Sequence, residues 1–239
     1  MQIARIFVLA AAMIALAMTI VAGPGTRFDV WNYRVGIGML AGATVLGVVA
    51  ALGAVVLIAL LAVARWRTQA WMPMTAFVIA LAAIAPPVIL LFKAKSVPPI
   101  HDITTDMADP PAFVALMPAR NESANGAAYE GAAIARQQEA AYPDIQPIVT
   151  KDAPAAATQR AANVGRTMGW NVVATDPASG RVEATATTGW FGFKDDIVVR
   201  IRPDASGGSR VDVRSASRVG KSDIGANAAR IREFLAHLA

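Results

Sequence analysis

The densest group of side chains that could do chemistry lies near the C-terminus, between a predicted strand and a predicted helix. Gly220-Lys221-Ser222 stands where the phosphate-binding loop of a nucleotide hydrolase would stand. Such a loop also needs a glycine five positions before its second glycine, and that position is Ser215. The pattern therefore does not support nucleotide hydrolysis, and we interpret Ser222 or Asp223 as the cap of the helix that follows.

Anion binding is the chemistry that this region favours instead. Arg214, Arg218 and Lys221 are expected to converge near the helix N-terminus, where free N–H groups and the helix dipole attract negative charge. A phosphorylated lipid headgroup or an acidic polymer would suit such a site. The alternative is a solvated sheet face on which arginines pair across strands with aspartates, such as Arg200 with Asp212. Both interpretations stay open at this point.

An aromatic tip between two predicted strands is the second candidate surface. Trp190, Phe191 and Phe193 could enter a membrane interface or hold an apolar ligand if exposed, and would close the core if buried. We expect ligand contacts from the basic face, the helix cap and this tip together. The candidate ligand-binding residues are Arg200, Arg202, Arg214, Arg218, Lys221, Asp223, Trp190, Phe191 and Phe193.

Metal and thiol chemistry find little support. The chain has no cysteine and only two histidines, His101 and His237, which excludes disulfides, thiolate catalysis and a histidine-rich metal centre. His101 stands near Asp102, Asp106 and Asp109 and could share a cation with them, but the spacing matches no metal motif. We therefore predict no metal and no cofactor.

Catalytic pairs are also missing from the pattern. Asp195 and Asp196 are adjacent on a predicted strand, so their side chains point to opposite faces and make a poor acid–base pair. Asp195 falls in the inward-facing register and needs a partner there, such as an arginine. No catalytic residue is predicted.

Charge is distributed unevenly along the chain. Residues 1–100 carry seven Lys/Arg and one Asp, residues 101–150 two Arg and seven acidic residues, and residues 151–239 thirteen Lys/Arg and nine acidic residues. A nucleic-acid-binding protein would concentrate its basic charge on the soluble domain. The net charge of +5 therefore does not indicate a nucleic-acid partner.

The residue pattern of the C-terminal part predicts one α+β domain. Alternating apolar and polar residues predict an antiparallel β-meander with helices packed on one face and a solvent-exposed, arginine-rich second face. The predicted strands are 145–149, 170–175, 181–187, 195–202 and 209–217, and the predicted helices are 127–141, 153–168 and 223–238.

Three long apolar runs in the N-terminal part predict a transmembrane region of three helices, at about residues 5–22, 35–64 and 74–92. We assign residues 1–92 to this region, 93–111 to a proline-rich linker and 112–239 to the soluble domain. The first helix could instead be a cleaved signal peptide, with Ala15-Leu16-Ala17 as the cleavage site. Small residues of the second helix would allow close approach of a partner helix.

Orientation follows from the basic cluster Arg65-Trp66-Arg67 in the loop after the second helix. Placing this loop in the cytoplasm puts the soluble domain outside. The composition is typical of bacteria. We therefore predict a multi-pass protein of the bacterial inner membrane with a periplasmic domain, in contact with membrane lipids.

Two stretches of the domain resemble a known family. Gly189 to Asp196 (GWFGFKDD) and Ser209 to Ile231 are similar to the central signatures of the bacterial and plastid domain-of-unknown-function family 1499. Tyr142-Pro143-Asp144-Ile145 resembles an earlier segment of it. The resemblance covers residues 109–239 and implies a membrane-anchored member. It implies no activity.

The sequence therefore favours a membrane-anchored, non-enzymatic module that binds an anionic or amphiphilic ligand or a partner protein. One alternative is an enzyme that uses Asp195, Asp223 and the arginines on a polar envelope substrate, which requires a pocket gathering those residues. A second alternative is a structural subunit of a membrane complex, assembled through the small residues of the second helix.

Overall fold

The computed structural model describes residues 1–64 and 69–239. The basic cluster Arg65-Trp66-Arg67, on which the predicted orientation depends, lies outside the described residues. The described chain divides into two compact units. Unit 1 comprises residues 1–93 and 189–192, and unit 2 comprises residues 94–188 and 193–239.

Unit 1 is built on three long apolar helices: α1 (Gln2–Arg27), α2 (Tyr33–Val63) and α3 (Trp71–Lys95). By length and composition each of them could cross a membrane. Large apolar side chains such as Phe7, Val45 and Ile89 remain more than 60% exposed, which a lipid environment would accommodate. The prediction of three long apolar helices is confirmed.

The small residues of α2 allow close packing within this unit. A Cβ atom placed on Gly47 would lie 2.9 Å from Ile84 of α3, and one placed on Gly53 would lie 3.1 Å from Val8 of α1. At both positions a larger residue would require the neighbouring side chain to shift, so glycine favours the close approach. The predicted partner helix from another protein stays a prediction, and at these positions the chain supplies its own neighbours.

The proline pair of α3 does not end the helix. Pro87 has no N–H to donate, so the carbonyl of Ala83, four residues earlier, loses its helical hydrogen bond. The hydroxyl of Thr19 in α1 donates to this carbonyl over 3.0 Å, and both groups are buried. A neighbouring helix thus satisfies the polar group that the proline frees, as an apolar environment requires.

Unit 2 contains a six-stranded antiparallel sheet. The strands are β1 (Asp102–Thr104), β2 (Ile148–Thr150), β3 (Asn171–Asp176), β4 (Arg181–Thr187), β5 (Lys194–Pro203) and β6 (Ser209–Ser217). Their order in the sheet is β1-β6-β5-β4-β3, with β2 also paired to β6. The four long strands β3 to β6 form a meander in which each strand pairs with the next, and this confirms the predicted α+β fold.

Helices cover one face of this sheet and enclose the main core. The helices of unit 2 are α4 (Met117–Asn121), α5 (Ala132–Ala141), α6 (Pro154–Thr167) and α7 (Ala226–Leu238). Apolar side chains of β4, β5 and β6, such as Val182, Val199 and Val213, contact α6 and α7, and Trp170 stacks on Phe234 with ring centroids 5.0 Å apart.

The segment predicted as a linker is partly structured. Strand β1 lies inside it and pairs with β6, and the N–H of Thr105 continues the ladder to the carbonyl of Val213 over 2.9 Å. Three residues are too few to show a periodic pattern. The flanking prolines are typical of a linker, so the sequence did not predict this strand. The helix predicted from residue 127 begins only at Ala132, after Gly131 at a positive φ of 79°.

Candidate functional site

The second face of the sheet is not the solvated surface that the sequence predicted. Glu183, Asp196 and Asp212 are fully buried there, and Arg214 is 3% exposed. Residues 105–131, hereafter the covering segment, lie across this face, with Phe113 and Leu116 packed on the sheet. The strand alternation placed these polar residues on the correct face, but it contains no information about what covers them.

Glu183 fixes the covering segment to the sheet. Its carboxylate accepts hydrogen bonds from the backbone N–H groups of Val114 (2.8 Å), Ala115 (3.0 Å) and Leu116 (2.9 Å). Buried N–H groups need acceptors, and a carboxylate can serve all three. This glutamate, which we did not select from the sequence, therefore has a structural role.

Arg214 is enclosed beneath the same segment. Its guanidinium pairs with Asp102 at 2.7 Å and donates to the carbonyl oxygens of Pro111 (3.2 Å) and Ala127 (3.0 Å). The ring of Phe113 lies 4.9 Å from this guanidinium and 5.2 Å from that of Arg120. A cation between aromatic and carboxylate partners is stabilised in place and is not available to an external ligand.

Asp196 holds two further arginines. Arg218 donates to both of its carboxylate oxygens, over 2.8 Å and 2.9 Å, and Arg120 lies 3.7 Å away. Burial lowers the pKa of Arg120, while the charges of Asp196 and Asp102 oppose the shift. Arg218, which is partly exposed, therefore belongs to an ion-pair network around the buried Asp196.

The predicted convergence at the N-terminus of α7 is not observed. Arg214 and Arg218 pair with acids on the sheet face opposite to α7, and Lys221 is exposed without joining them. Asp223 accepts from the N–H groups of Gly225 (2.8 Å) and Asn227 (2.7 Å), which confirms its predicted capping role. Burial raises the pKa of the Asp223 carboxyl, although these two hydrogen bonds oppose the rise.

Arg200 and Arg202 belong to a cluster at the rim of the sheet. The rim cluster consists of Arg200, Arg202, Arg210, Asp106, Asp109 and Asp212. One oxygen of Asp106 lies 3.2–3.3 Å from the guanidinium groups of all three arginines. Arg200 and Asp212 are direct cross-strand partners, as the sequence predicted.

Exposure distinguishes this cluster from the buried network. Arg202 and Arg210 are 41% and 39% exposed, whereas Asp212 beneath them is fully buried. The pKa of Asp106 is lowered. Its partial burial opposes that shift, but the Asp109 N–H and the three guanidinium charges outweigh burial. The rim cluster thus exposes Arg202, Arg210 and the carboxylate of Asp109 to solvent, and it keeps Asp106 and Asp212 inside.

The aromatic residues divide between the two units. Trp190 and Phe191 belong to unit 1, and Phe193 belongs to unit 2. Within unit 1 the Trp190 ring occupies the space beside Gly23, where an added Cβ would lie 2.5 Å from it. Phe191 is buried, and Trp190 meets it edge to face at 5.1 Å. Of the two predicted roles, Phe191 takes the buried one.

Asp195 is paired as its inward register required. Arg230 of α7 donates to its carboxylate over 2.7 Å, and the same guanidinium also reaches the Ser215 hydroxyl over 3.0 Å. Arg230 additionally lines a cavity of about 280 Å³ beside Trp170. Neither Asp195 nor Asp223 lines that cavity, so it does not gather the residues that the enzyme hypothesis requires.

Among the described residues, no group of three or more His, Asp or Glu side chains is placed to hold a metal ion. The acids near His101 have other partners: Asp102 pairs with Arg214, while Asp106 and Asp109 pair with the rim arginines. The sequence did contain a signal for these pairs, because the acidic surplus of residues 101–150 complements the basic surplus of residues 151–239.

Comparison with known proteins places the domain in one family. A search of curated proteins gives no significant match. The family described as "Protein of unknown function (DUF1499)" matches residues 102–238, which is more than half of the chain and includes β1 and the whole covering segment. The resemblance noted from the sequence is therefore confirmed, and the chain belongs to the DUF1499 family.

Proposed function

We propose that this protein is a membrane-anchored, non-enzymatic binding module whose α+β domain takes an anionic ligand at the rim cluster. The observation that carries the proposal is the convergence of Arg200, Arg202 and Arg210 at the sheet rim, two of them about 40% exposed. Arginine presents a planar fork of N–H donors that matches the oxygens of carboxylates and phosphates.

The other candidate arginines support this choice by their positions. Arg214 is 3% exposed and Arg218 22%, and each donates to a buried aspartate. A ligand could reach the Arg214 guanidinium only after the covering segment had left the sheet. The proposed binding surface therefore keeps Arg200 and Arg202 from the predicted set, adds Arg210, and leaves Arg214 and Arg218 in a structural role.

A non-enzymatic role agrees with how the acids are used. General acid–base catalysis needs a carboxyl within reach of a substrate. Asp195 and Asp196 are bonded to arginines, while Glu183 and Asp223 accept backbone N–H groups. Each of these four carboxylates thus has a structural partner in the described part of the chain.

For location we propose the bacterial inner membrane, with the α+β domain in the periplasm. The three apolar helices and the exposed apolar side chains on them support a lipid environment. The absence of cysteine is compatible with an oxidising compartment. Reporter fusions at the C-terminus test the orientation: we expect activity from a periplasmic reporter, and activity from a cytoplasmic reporter would contradict this orientation.

The binding proposal is tested by reversing charge at the rim in the full-length protein, purified in detergent. The variant carries Arg202→Glu and Arg210→Glu, and its affinity for fluorescent polyglutamate is compared with that of the original chain. We expect at least a tenfold loss, about 1.4 kcal/mol, because both exposed cations of the cluster become anions. Arg160→Glu with Arg166→Glu is the matched control, since it reverses the same number of charges at two exposed arginines outside the rim cluster.

Unchanged polyglutamate binding in the rim variant would contradict the proposal. An equal loss in Arg160→Glu with Arg166→Glu would also contradict it, because the effect would then follow net charge and not position. Thermal unfolding of each variant in detergent shows whether the fold is retained.

A further inference from the structure

We infer that Asp109 is an internal occupant of a phosphate-binding seat formed by Arg200 and Arg202, and that a phosphate group of a ligand takes its place. This inference depends on the proposed function, because it specifies the ligand class and the way in which the rim cluster admits it.

The Asp109 carboxylate occupies the position that an external oxyanion would take. One of its oxygens accepts from Nη1 of Arg200 at 2.9 Å and from Nη1 of Arg202 at 3.3 Å. Two guanidinium groups that donate to one oxygen make a charge-assisted arrangement typical of oxyanion recognition. Arg181 lies directly opposite Arg200 in the β4–β5 ladder, so a further cation stands on the same face.

Asp109 differs from the other acids of the cluster in its exposure. Its side chain is 68% exposed, whereas Asp106 is 13% exposed and Asp212 is fully buried. Exposed ion pairs are weak because water competes for both partners. Asp109 is therefore the carboxylate of the cluster that can leave without opening the interior.

The backbone around Asp109 is held independently of its side chain. Its N–H donates to Asp106 over 3.0 Å, and its carbonyl accepts from Arg200 over 2.8 Å. Pro110 and Pro111 follow and restrict the chain further. A change of the Asp109 rotamer alone can therefore vacate the seat, while the covering segment stays in place.

Charge favours phosphate as the group that replaces Asp109. Once its carboxylate leaves, Arg200, Arg202 and Arg210 face only Asp106 and Asp212, so one positive charge is uncompensated. A carboxylate of a ligand, with one negative charge, would only restore the charge balance that Asp109 provides. A phosphate monoester carries a charge of about −2 and has three acceptor oxygens, so it can also draw on Arg181.

The test measures binding of inorganic phosphate to the full-length protein in detergent by isothermal titration calorimetry. Asp109→Asn removes the competing charge, and we expect phosphate affinity to rise about two- to fivefold. Adding Arg202→Gln to Asp109→Asn is expected to abolish that gain. Asp152→Asn is the control because it removes the same charge from another solvent-accessible aspartate that pairs with an arginine, Arg160, and it should leave phosphate binding unchanged.

A second arm identifies the source of the phosphate. Nanodiscs of phosphatidylcholine with and without phosphatidic acid compete against inorganic phosphate for the Asp109→Asn protein. Competition that requires phosphatidic acid supports the seat with a lipid headgroup as its ligand. Phosphate binding that neither nanodisc affects supports the seat with a soluble phosphate compound.

Phosphate affinity in Asp109→Asn no higher than in the original chain, or an equal gain in Asp152→Asn, would overturn the inference. The proposed function is judged separately by polyglutamate. If Arg202→Glu with Arg210→Glu abolishes polyglutamate binding while Asp109→Asn leaves phosphate affinity unchanged, the inference fails and the proposed function stands.

Discussion

Arg214 and Asp102 form an ion pair buried beneath the covering segment, with Nη2 of the arginine 2.7 Å from Oδ2 of the aspartate. Asp102 begins β1, and Arg214 lies in the central part of β6. The pair thus fastens the first strand of the domain to its longest ladder. It also explains why an arginine that the sequence suggested for ligand binding is structural.

Removing one partner of this pair should be far more damaging than removing both. We expect Arg214→Gln to lower the free energy of unfolding by about 3–5 kcal/mol, because Asp102 is left as an uncompensated buried charge. Adding Asp102→Asn should recover part of the loss. Denaturant unfolding of the full-length protein in detergent measures both, and equal stability of the single and double variants would contradict the buried-pair account.

Glu183→Gln should loosen the covering segment selectively. The amide retains one oxygen and presents an NH₂ group to a backbone N–H, so at least one buried hydrogen bond is lost, at a cost of about 1–3 kcal/mol. Hydrogen exchange at Val114, Ala115 and Leu116 should accelerate more than exchange in β5. Uniform acceleration across the domain would argue against a local role.

Asp106 should make the stability sensitive to acid. Its pKa is lower in the folded state than the usual 3.8, so its stabilising contribution is complete above that value and is lost as pH falls through the folded pKa. We expect Asp106→Asn to be less stable than the original chain at neutral pH. The difference should shrink as pH falls below 3.8 and vanish once the folded carboxyl is protonated. An unfolding free-energy difference that does not shrink as the solution is acidified would exclude this origin.

Tyr129 should make the stability of the fold sensitive to alkaline pH. Burial, followed by the charge of Asp102, raises its pKa from 10.0 to about 12. The neutral phenol thus stabilises the folded state below pH 10, and that contribution is lost as pH rises from 10 towards 12. Tyr129→Phe should flatten this part of the stability profile.

The Tyr129 hydroxyl is buried and has no hydrogen-bond partner among the described residues. Its removal should therefore cost less than about 1 kcal/mol at neutral pH. A larger loss in unfolding measurements would show that the hydroxyl has a bound partner, such as an ordered water molecule.

The strands could be predicted from sequence because each has one apolar face. Alternation located β4 (Arg181–Thr187) and β6 (Ser209–Ser217) at the bounds that the structure has, and it predicted that Asp195 points inward and needs an arginine. The helices of unit 1 were equally clear from their length and hydropathy. These features depend on local periodicity, which a single sequence displays directly.

The covering segment could not be predicted in the same way. Its contacts are made by backbone N–H and carbonyl groups that any residue provides, as between Val114 and Glu183 or Pro111 and Arg214. The alternation of apolar and polar residues cannot distinguish a polar sheet face that is exposed to solvent from one that another segment of the chain covers. The candidate arginines were therefore identified by type, while their availability depended on contacts distant in sequence.

The most direct test of the rim cluster as the binding surface is NMR of arginine Nε–H groups in the full-length protein, recorded during titration with polyglutamate. We expect the resonances of Arg200, Arg202 and Arg210 to shift, and those of the buried Arg120 and Arg214 to stay fixed. Shifts confined to other arginines, or no shifts at saturating polyglutamate, would contradict the proposal that this surface binds anions.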